Sequence, residues 1–295
     1  MNRREEIVPP TYRNLLMYVD KCKIFVNNGI VMYGYAEESF LKEYNIPYLN
    51  TAILMLGKGC SITTEALNIL GEHNVTVIST SNKFKAHSIT LSEYSGSNTK
   101  YFNKLVQLLF IENKRVDLGK KLLKMRESFN EKHISNIIYD LFGEDIFLPK
   151  FNIDNVNTIE ELLGHEGIYI KELRKSLKDF LFIENNEFTN NILQERYSIG
   201  NSLMYGMAAT VLNSLGLSYN LNILHGRTNS GSLKYDIADI IKGLVYVTAL
   251  LSITNDSEWK SDSSEEYVKK LGDFLSENNI LKILFDYVND LIMNS

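Results

Sequence analysis

The sequence predicts an α+β protein in which a small, β-rich, sandwich-like N-terminal domain precedes a larger all-α C-terminal domain. Over the first ninety or so residues, short β-branched and aromatic runs alternate with turn residues, as is typical of strands. From Tyr101 onward, the apolar residues recur at helical spacing instead. The length of 295 residues agrees with a division into two domains.

A hairpin is predicted near the start of the chain. Residues 23–26 (KIFV) and 30–33 (IVMY) are strand-like, and Gly29 in the Asn-Asn-Gly between them can adopt the positive φ of a tight turn. Ser61 is expected to cap a short helix over the periodic apolar residues that follow it. Further strands are predicted over residues 51–56, 75–78 and 88–91.

A linker separates the two predicted domains. Residues 92–99 include Ser-Gly-Ser-Asn and have loop composition. We therefore predict a β-rich N-terminal domain over residues 1–93, a linker over 94–99 and a helical domain over 100–295. A helical pattern runs through residues 105–125, and later helices are predicted over residues 159–182, 201–215, 232–253 and 265–293.

Composition excludes several classes of protein. Hydrophobic residues make up 44% and charged residues 23%, which excludes disordered and fibrous chains. Two cysteines are too few for a disulfide framework, so reduced structural thiols are expected. The charged start of the chain does not resemble a signal peptide, and the apolar stretch 240–253 is shorter than a membrane span. We expect a cytoplasmic protein with no membrane partner.

The net charge of -5 by itself disfavours a phosphate-rich partner, but it averages over unlike segments. Residues 97–133 carry a net charge of +5, and residues 256–295 carry -5. Each run has an ordinary interpretation as a solvated helix face. The alternative is a basic strip that binds a phosphate backbone, with an acidic tail kept away from it. The composition does not choose between them.

Three places in the helical domain combine polar groups with apolar or glycine-containing surroundings. Glu166 lies between two glycines, although it also fits an ordinary first-turn acid. His225 follows an apolar run, although a lone histidine is more often a hydrogen-bonding residue than a ligand. Asp236 and Asp239 share one face of an otherwise apolar helix, which is costly unless they are paired or bind a cation.

Glu166, His225 and Asp239 would together supply two carboxylates and one imidazole. That set suits Mg²⁺ or Mn²⁺, and manganese tolerates the nitrogen ligand better. Such an ion can hold a phosphodiester and stabilise charge on its phosphorus. Because the three residues are far apart in the sequence, spacing alone does not establish that they converge.

Several ordered stretches resemble the CRISPR-associated protein one family, the spacer-acquisition integrase and endonuclease, and most closely its type I-F branch. In the N-terminal part they are IPYLNT (46–51) and ILMLGKGCSIT (53–63). In the helical part they are LLGHEGIYIK (162–171), YGMAAT (205–210), LHGR (224–227) and LKYDIAD (233–239). Each is weak alone, whereas the ordered set is specific.

The resemblance implies an enzyme of CRISPR adaptation that joins 3′-hydroxyl ends of captured DNA fragments (prespacers) to the repeat array by transesterification. Glu166, His225 and Asp239 fall on the family's metal-ligand positions, and Asp236 on an adjacent acidic position that we include with the catalytic residues. The resemblance also implies Mg²⁺ or Mn²⁺ and double-stranded DNA. It further implies a homodimer formed through residues 1–93, the dimerisation domain, with residues 100–295 as the catalytic domain. A second implied partner is CRISPR-associated protein two, which in type I-F is fused to the helicase-nuclease.

Basic residues near the predicted site are candidates for DNA contacts, although surface lysines and arginines are usually only solvated. The candidates are Arg227, Lys234, Lys114, Arg115, Lys120, Lys121 and Lys124. Two other functions compete with the integrase. One is a non-catalytic DNA-bridging or partner-binding scaffold of the same fold, and the other is a helical interaction protein that binds no nucleic acid.

Overall fold

The computed structural model describes residues 13–37, 40–57, 59–80, 86–88, 99–184, 186–225, 231–255 and 257–295. The strands are β1 (Asn14–Val19), β2 (Lys23–Asn27), β3 (Ile30–Glu37), β4 (Phe40–Asn45), β5 (Thr51–Leu56), β6 (Ser61–Ile62), β7 (Thr76–Thr80) and β8 (Ala86–Ser88). The helices are α1 (Thr64–Glu72), α2 (Thr99–Leu109), α3 (Glu112–Phe142), α4 (Ile159–Phe180), α5 (Glu187–Ser214), α6 (Ser232–Ile241), α7 (Gly243–Leu251), α8 (Ser264–Glu277) and α9 (Ile280–Met293). The predicted order of a β-rich part and then a helical part is confirmed.

The strands form two four-stranded sheets. The first has the order β1-β5-β7-β8, in which β1, β5 and β7 are parallel and β8 is antiparallel. The second has the order β4-β3-β2-β6 and is antiparallel except for the β2–β6 pair. The predicted hairpin is β2–β3, and Asn28 and Gly29 both have the positive φ that a two-residue turn of this kind requires (51° and 77°).

The first sheet forms the middle layer of the molecule. Alternate residues of β5 point to opposite faces, and all six are buried. Ile53 and Met55 belong to the core shared with the helices, whereas Leu54 and Leu56 belong to a smaller core with the second sheet and α1. The β-rich part therefore shares one of its faces with the helical part.

Helix α5 lies directly on this sheet. A Cβ atom at Gly206 would overlap Cδ1 of Ile78 on β7, so the close approach of helix to strand requires glycine here. Nearby, the Thr210 hydroxyl donates a hydrogen bond to Oγ1 of Thr76 at 2.8 Å. The helix that backs the sheet also supports α6 and α7, which build part of the site described below.

The structure corrects several element boundaries. Ser61 lies in β6, and the cap of α1 is Thr63, whose Oγ1 accepts from the Ala66 N–H at 3.3 Å. The helix predicted over residues 201–215 begins at Glu187. The pattern over 232–253 is two helices that meet at Lys242, and the pattern over 265–293 is broken at Asn279, which has a φ of 51°. Strands β1 and β4 were not predicted.

Three expectations have no direct test in the fold. Residues 94–98 of the predicted linker and residues 89–91 of a predicted strand lie outside the described residues. The domain limits at residues 93 and 100 stay predictions, although α2 begins at Thr99. Within the described ranges, none of the helices has both the length and the hydropathy needed to cross a membrane.

Candidate metal centre

Glu166, His225 and Asp239 come together in the helical part of the molecule. Each offers one potential ligand atom, and these atoms all lie within 4.8 Å of one another. Glu166 Oε2 is 3.4 Å from His225 Nε2. Both carboxylates are buried, and the histidine side chain is one-third exposed (33%), so the cluster is open on one side. The sequence prediction that these residues converge agrees with this geometry.

The position of Glu166 is set by where helix α4 begins and by which face of the helix is buried. Thr158 caps the helix by accepting from the Glu161 N–H at 3.3 Å, and the first-turn acids are Glu160 and Glu161. Glu166 lies further along the helix, on the face that buries Leu162 and Tyr169. The interpretation of Glu166 as an ordinary first-turn acid is therefore wrong.

Asp236 on α6 holds the segment that carries His225. Its Oδ2 accepts from the backbone N–H groups of Ile223 (2.8 Å) and Leu224 (3.2 Å). Its Oδ1 accepts from the backbone N–H of His225 (3.2 Å) and lies 2.8 Å from the ring Nδ1. With the Nδ1 proton donated to Asp236, the lone pair of Nε2 is directed away toward Glu166. Asp236 thus lies behind the histidine rather than among the converging atoms.

This hydrogen bond also controls the charge of the histidine. The bond to Asp236 raises the pKa of His225 to about 8, against the effect of burial and with help from the Glu166 carboxylate. An imidazolium ring, protonated on both nitrogens, cannot bind a metal ion. A metal ion that binds at Nε2 must therefore displace the proton on Nε2.

Two cations that the sequence analysis did not assign to the site hold the carboxylates. Arg126 of α3, which is 1% exposed, places Nη1 2.6 Å from Glu166 Oε1 and 4.0 Å from Asp239 Oδ2. Lys242 places Nζ 2.9 Å from Asp239 Oδ1. Lys242 could have been found from its spacing of three residues from Asp239, whereas Arg126 was counted as part of the basic strip.

The two carboxylates differ in their ease of protonation. Burial raises the pKa of Glu166, and Arg126 offsets this only in part. For Asp239, burial also favours the neutral acid, but Arg126 and Lys242 together outweigh it and lower the pKa. Lys242, held by Asp239, has a raised pKa despite its burial.

The donor set fits a divalent cation. Glu166 uses one oxygen for Arg126 and has the other near His225 Nε2, and each of the three ligands has a neighbouring group that fixes its orientation. Two carboxylates and an imidazole suit Mg²⁺ or Mn²⁺. The histidine is therefore both a hydrogen-bonded residue, through Nδ1, and a candidate ligand, through Nε2.

The predicted DNA-contact residues on α3 differ in their surroundings. Lys114 is exposed. The other four donate to backbone carbonyl oxygens: Arg115 to Ile223, Lys120 to Asp154, Lys121 to Asp290 and Lys124 to Phe151. Lys121 also pairs with the Asp290 carboxylate at 3.2 Å, so the acidic tail meets the basic strip at this point.

The remaining two candidates lie near α6. Lys234 is half-buried, with Nζ 5.3 to 6.0 Å from the ring centres of Tyr205, Tyr219 and Tyr235, and burial lowers its pKa. Arg227 lies outside the described residues. DNA contact by any of these residues stays a prediction.

A second basic surface, which the sequence analysis missed, runs along α4. Lys171, Arg174, Lys175 and Lys178 line a groove of about 430 Å³ between α4 and α5, and its lining contains no acidic residue. Arg174 lies over the Tyr246 ring at 4.3 Å. The groove also includes Gly167, which follows Glu166 in the sequence but lies on the exposed side of the helix. The spacing of these basic residues, three or four positions apart on one helix, could have predicted this surface from the sequence.

Fold and site together define a protein built around a two-carboxylate, one-histidine centre on a helical layer. The family model for CRISPR associated protein Cas1 matches residues 31–288. The chain therefore belongs to the Cas1 family.

Curated relatives agree with this assignment. The chain is 28% identical to the CRISPR-associated endonuclease Cas1 of Pseudomonas aeruginosa (strain UCBPP-PA14), over 95% of this chain and 93% of that protein. It is also 28% identical to the CRISPR-associated endonuclease Cas1 of Pectobacterium atrosepticum, over 76% of this chain and 77% of that protein.

Solved structures share the fold. A TtCas1–DNA complex matches with a TM-score of 0.71 and 19% identity, covering 95% of this chain and 91% of that one. A casposase bound to integration product matches with a TM-score of 0.73 and 16% identity, covering 96% of this chain and 91% of that one.

Proposed function

We propose that this chain is the metal-dependent DNA integrase and endonuclease of CRISPR adaptation, which joins 3′-hydroxyl ends of captured DNA fragments to the repeat array. The observation that carries the proposal is the convergence of Glu166, His225 and Asp239 within 4.8 Å. The names of the curated relatives and the shared fold with a casposase bound to integration product support it.

The chemistry divides between a metal ion and the residues of the chain. A bound Mg²⁺ or Mn²⁺ would supply Lewis-acid stabilisation of the charge that develops on the phosphodiester. Asp236 fixes the tautomer of His225, and Arg126 and Lys242 hold the two carboxylates. These contacts keep the ligand atoms ordered, so that little reorganisation is needed when substrate binds.

The α4 groove is the path we propose for the DNA backbone beside the reacting phosphate. Lys171, Arg174 and Lys175 are exposed, and the groove lies along the same helix, α4, that carries Glu166. A groove lined by cations and by no acidic residue favours a polyanion. The exposed Lys114 on α3 is compatible with a further contact, whereas its neighbours Lys120 and Lys124 are engaged with backbone carbonyls.

The partners that we propose are a second copy of this chain and CRISPR-associated protein two, fused in type I-F to the helicase-nuclease. For the homodimer, the second sheet offers a cluster of the Tyr33, Tyr35 and Tyr44 rings with Tyr44 46% exposed. Such partly exposed aromatic groups are typical of interfaces. Part of a chain in a Cas6-RT-Cas1–Cas2 complex shares the fold, covering 95% of this chain and 35% of that one, with a TM-score of 0.64 and 15% identity.

An integration assay tests the function. The wild-type chain, its cognate partner, supercoiled repeat DNA and Mg²⁺ or Mn²⁺ should give strand-transfer products. Asp239→Ala and Asp239→Asn should reduce these products to background while circular dichroism shows a folded protein. Glu172→Ala, which removes an exposed carboxylate on α4, is the matched control and should retain activity.

Strand transfer by the folded Asp239 variants at the wild-type rate would contradict the proposal. Combined with retained DNA binding, that result would favour the non-catalytic scaffold. Absence of DNA binding by the wild-type chain at any salt concentration would favour the interaction protein that binds no nucleic acid.

A further inference from the structure

The two cysteines of the chain lie side by side at the junction of the two sheets. Cys22 follows the turn between β1 and β2, and Cys60 precedes β6. Strands β2 and β6 pair in parallel from Lys23 and Ser61, and the Ser61 N–H donates to the Cys22 carbonyl at 3.0 Å. The two cysteines are therefore the residues immediately before this paired register, and their Sγ atoms are 3.7 Å apart.

We propose that Cys22 and Cys60 are a redox modification site at which a two-electron oxidant, hydrogen peroxide or a small-molecule disulfide, forms a reversible intrachain disulfide. This proposal does not depend on the proposed reaction with DNA, because the cysteines lie outside the metal-ligand cluster.

The backbone suits such a bond. Neighbouring strands lie about 4.8 Å apart, within the roughly 4.4–6.8 Å range of Cα separations in disulfides. The sulfurs must approach by about 1.7 Å to reach bonding distance. Gly59, with a φ of 71°, precedes Cys60, so the bond joins a strand end to a turn and not two positions inside a regular ladder.

The two thiols have different surroundings. Cys22 is buried (4% exposed), and burial, together with the neighbouring Cys60, raises the pKa of its thiol to about 12. Cys60 is half-buried and donates a hydrogen bond from its thiol to the Val19 carbonyl at 3.3 Å. Oxidant therefore reaches Cys60 first, and Cys22 is the resolving thiol.

The chemistry balances with peroxide as the oxidant. The Cys60 thiolate attacks one peroxide oxygen, the O–O bond breaks, and hydroxide leaves as Cys60 becomes a sulfenic acid. The Cys22 sulfur then attacks the Cys60 sulfur, the S–O bond breaks, and water leaves. In total the two thiols lose two protons and two electrons, and the peroxide becomes two waters. A dithiol reductant reverses the change by thiol–disulfide exchange.

The bond would join the two chain segments that lead from the first sheet into the second. Cys22 connects β1 of the first sheet to β2 of the second, and Cys60 lies between β5 of the first sheet and β6 of the second. Linking them closes a loop between positions separated by 38 in the chain. A crosslink of this kind constrains the unfolded chain, so the oxidised protein should unfold at a higher temperature.

The test uses the full folded chain. Reduced protein is treated with a small excess of hydrogen peroxide and quenched with N-ethylmaleimide in denaturant, which exposes the buried Cys22 thiol. Its intact mass is then measured by mass spectrometry. We expect a monomer that is lighter by two hydrogen atoms and carries no alkylation, a non-reduced peptide joining Cys22 to Cys60, and a raised unfolding temperature. Dithiothreitol should reverse all three.

Single variants provide the controls. Cys60→Ser should leave Cys22 unoxidised in the folded protein, and Cys22→Ser should let Cys60 form a sulfenic acid with no intrachain crosslink. The proposal is overturned if wild-type protein keeps two alkylatable thiols under conditions that oxidise Cys60 in Cys22→Ser. Crosslinks only between chains would also overturn it.

Discussion

The ring Nδ1 of His225 lies 2.8 Å from Oδ1 of Asp236, and Asp236 at the same time accepts three backbone N–H groups from residues 223–225. One buried carboxylate thus fixes both the path of this segment and the orientation of the imidazole. Because charge-assisted hydrogen bonds are short and directional, the position of Nε2 relative to Glu166 follows from Asp236. Asp236 is in this sense a positioning residue for the metal centre.

Asp236→Asn tests this positioning role. The amide group of asparagine presents an N–H group to backbone donors, so we expect a loss of about 1–3 kcal/mol in the free energy of unfolding. The Mn²⁺ concentration that gives half-maximal strand transfer should rise by about 10–100-fold. Thr210→Val, which removes the distant Thr210–Thr76 hydrogen bond, is a control for simple destabilisation and should leave that midpoint unchanged. An unchanged midpoint in Asp236→Asn would argue against positioning.

The raised pKa of His225 predicts a pH-dependent stability of the metal-free protein. A histidine with a folded-state pKa of about 8, above its ordinary 6.5, stabilises the fold fully below pH 6.5 and loses this contribution as the pH rises through 8. Discounted for the exposed third of the side chain, the contribution is about 1 kcal/mol.

Urea unfolding with a chelator at pH 6 and pH 9 measures this contribution. The free energy of unfolding of wild type minus that of His225→Gln should be larger at pH 6 than at pH 9. The subtraction removes the other titrating groups, which both proteins share. A difference that does not change between the two pH values would show that His225 gains no proton affinity on folding.

Arg126 should contribute most to the stability of the fold when no metal ion is bound. Arg126→Met leaves Glu166 and Asp239 facing each other without their shared cation, and breaking such a buried pair costs about 3–5 kcal/mol. A divalent cation would neutralise the same carboxylates. The rise in unfolding temperature from chelator to Mn²⁺ should therefore be larger in Arg126→Met than in wild type, as measured by differential scanning fluorimetry. Equal rises in the two proteins would contradict this account.

The sequence predicted the three converging residues but not the groups that hold them. Glu166, His225 and Asp239 could be proposed because an ordered set of stretches resembles a family, whereas their spacing could not show convergence. Arg126 has no local feature that distinguishes it from the solvated basic residues of the same helix. Its burial is set by the packing of α3 against α4, α6 and α7, which depends on contacts between distant parts of the chain.

The fold was predicted best where local signals were strong. Asn28 and Gly29 favour the positive φ that a two-residue turn requires, so the β2–β3 hairpin could be predicted from them. Helix α5 was predicted fourteen residues short because residues 187–200 contain threonine, asparagine, serine and a glycine, which are weak helix formers. Tertiary packing overrides that weakness, because Gly200 lets α5 approach Val245 and Tyr267 closely.

Two sets of lysines compete as the DNA-binding surface. The triple variant Lys171→Ala, Lys175→Ala, Lys178→Ala removes cations from the α4 groove, and we expect weaker duplex binding with a salt dependence reduced by about 0.9 in log–log slope for each phosphate that the variant no longer neutralises. The double variant Lys120→Ala, Lys124→Ala removes lysines that donate to backbone carbonyls, so it should lower stability more than affinity. Fluorescence anisotropy over a series of salt concentrations separates the two. A larger reduction of the slope in the double variant would place the DNA on α3, as the sequence analysis predicted.

The packing of α5 on the sheet should be intolerant of a single methyl group. Gly206→Ala places a Cβ atom against the end of the buried Ile78 side chain on β7, which must then shift within the core, and overpacking of this kind costs about 1–3 kcal/mol. Gly164→Ala is the matched control, because an added Cβ atom meets nothing within 4 Å there and alanine favours α4 by about 1 kcal/mol. Urea denaturation of the two variants should therefore give shifts of opposite sign. If Gly206→Ala were as stable as wild type, the Ile78 side chain would have to change conformation at no cost, and the contact between α5 and β7 would not require glycine.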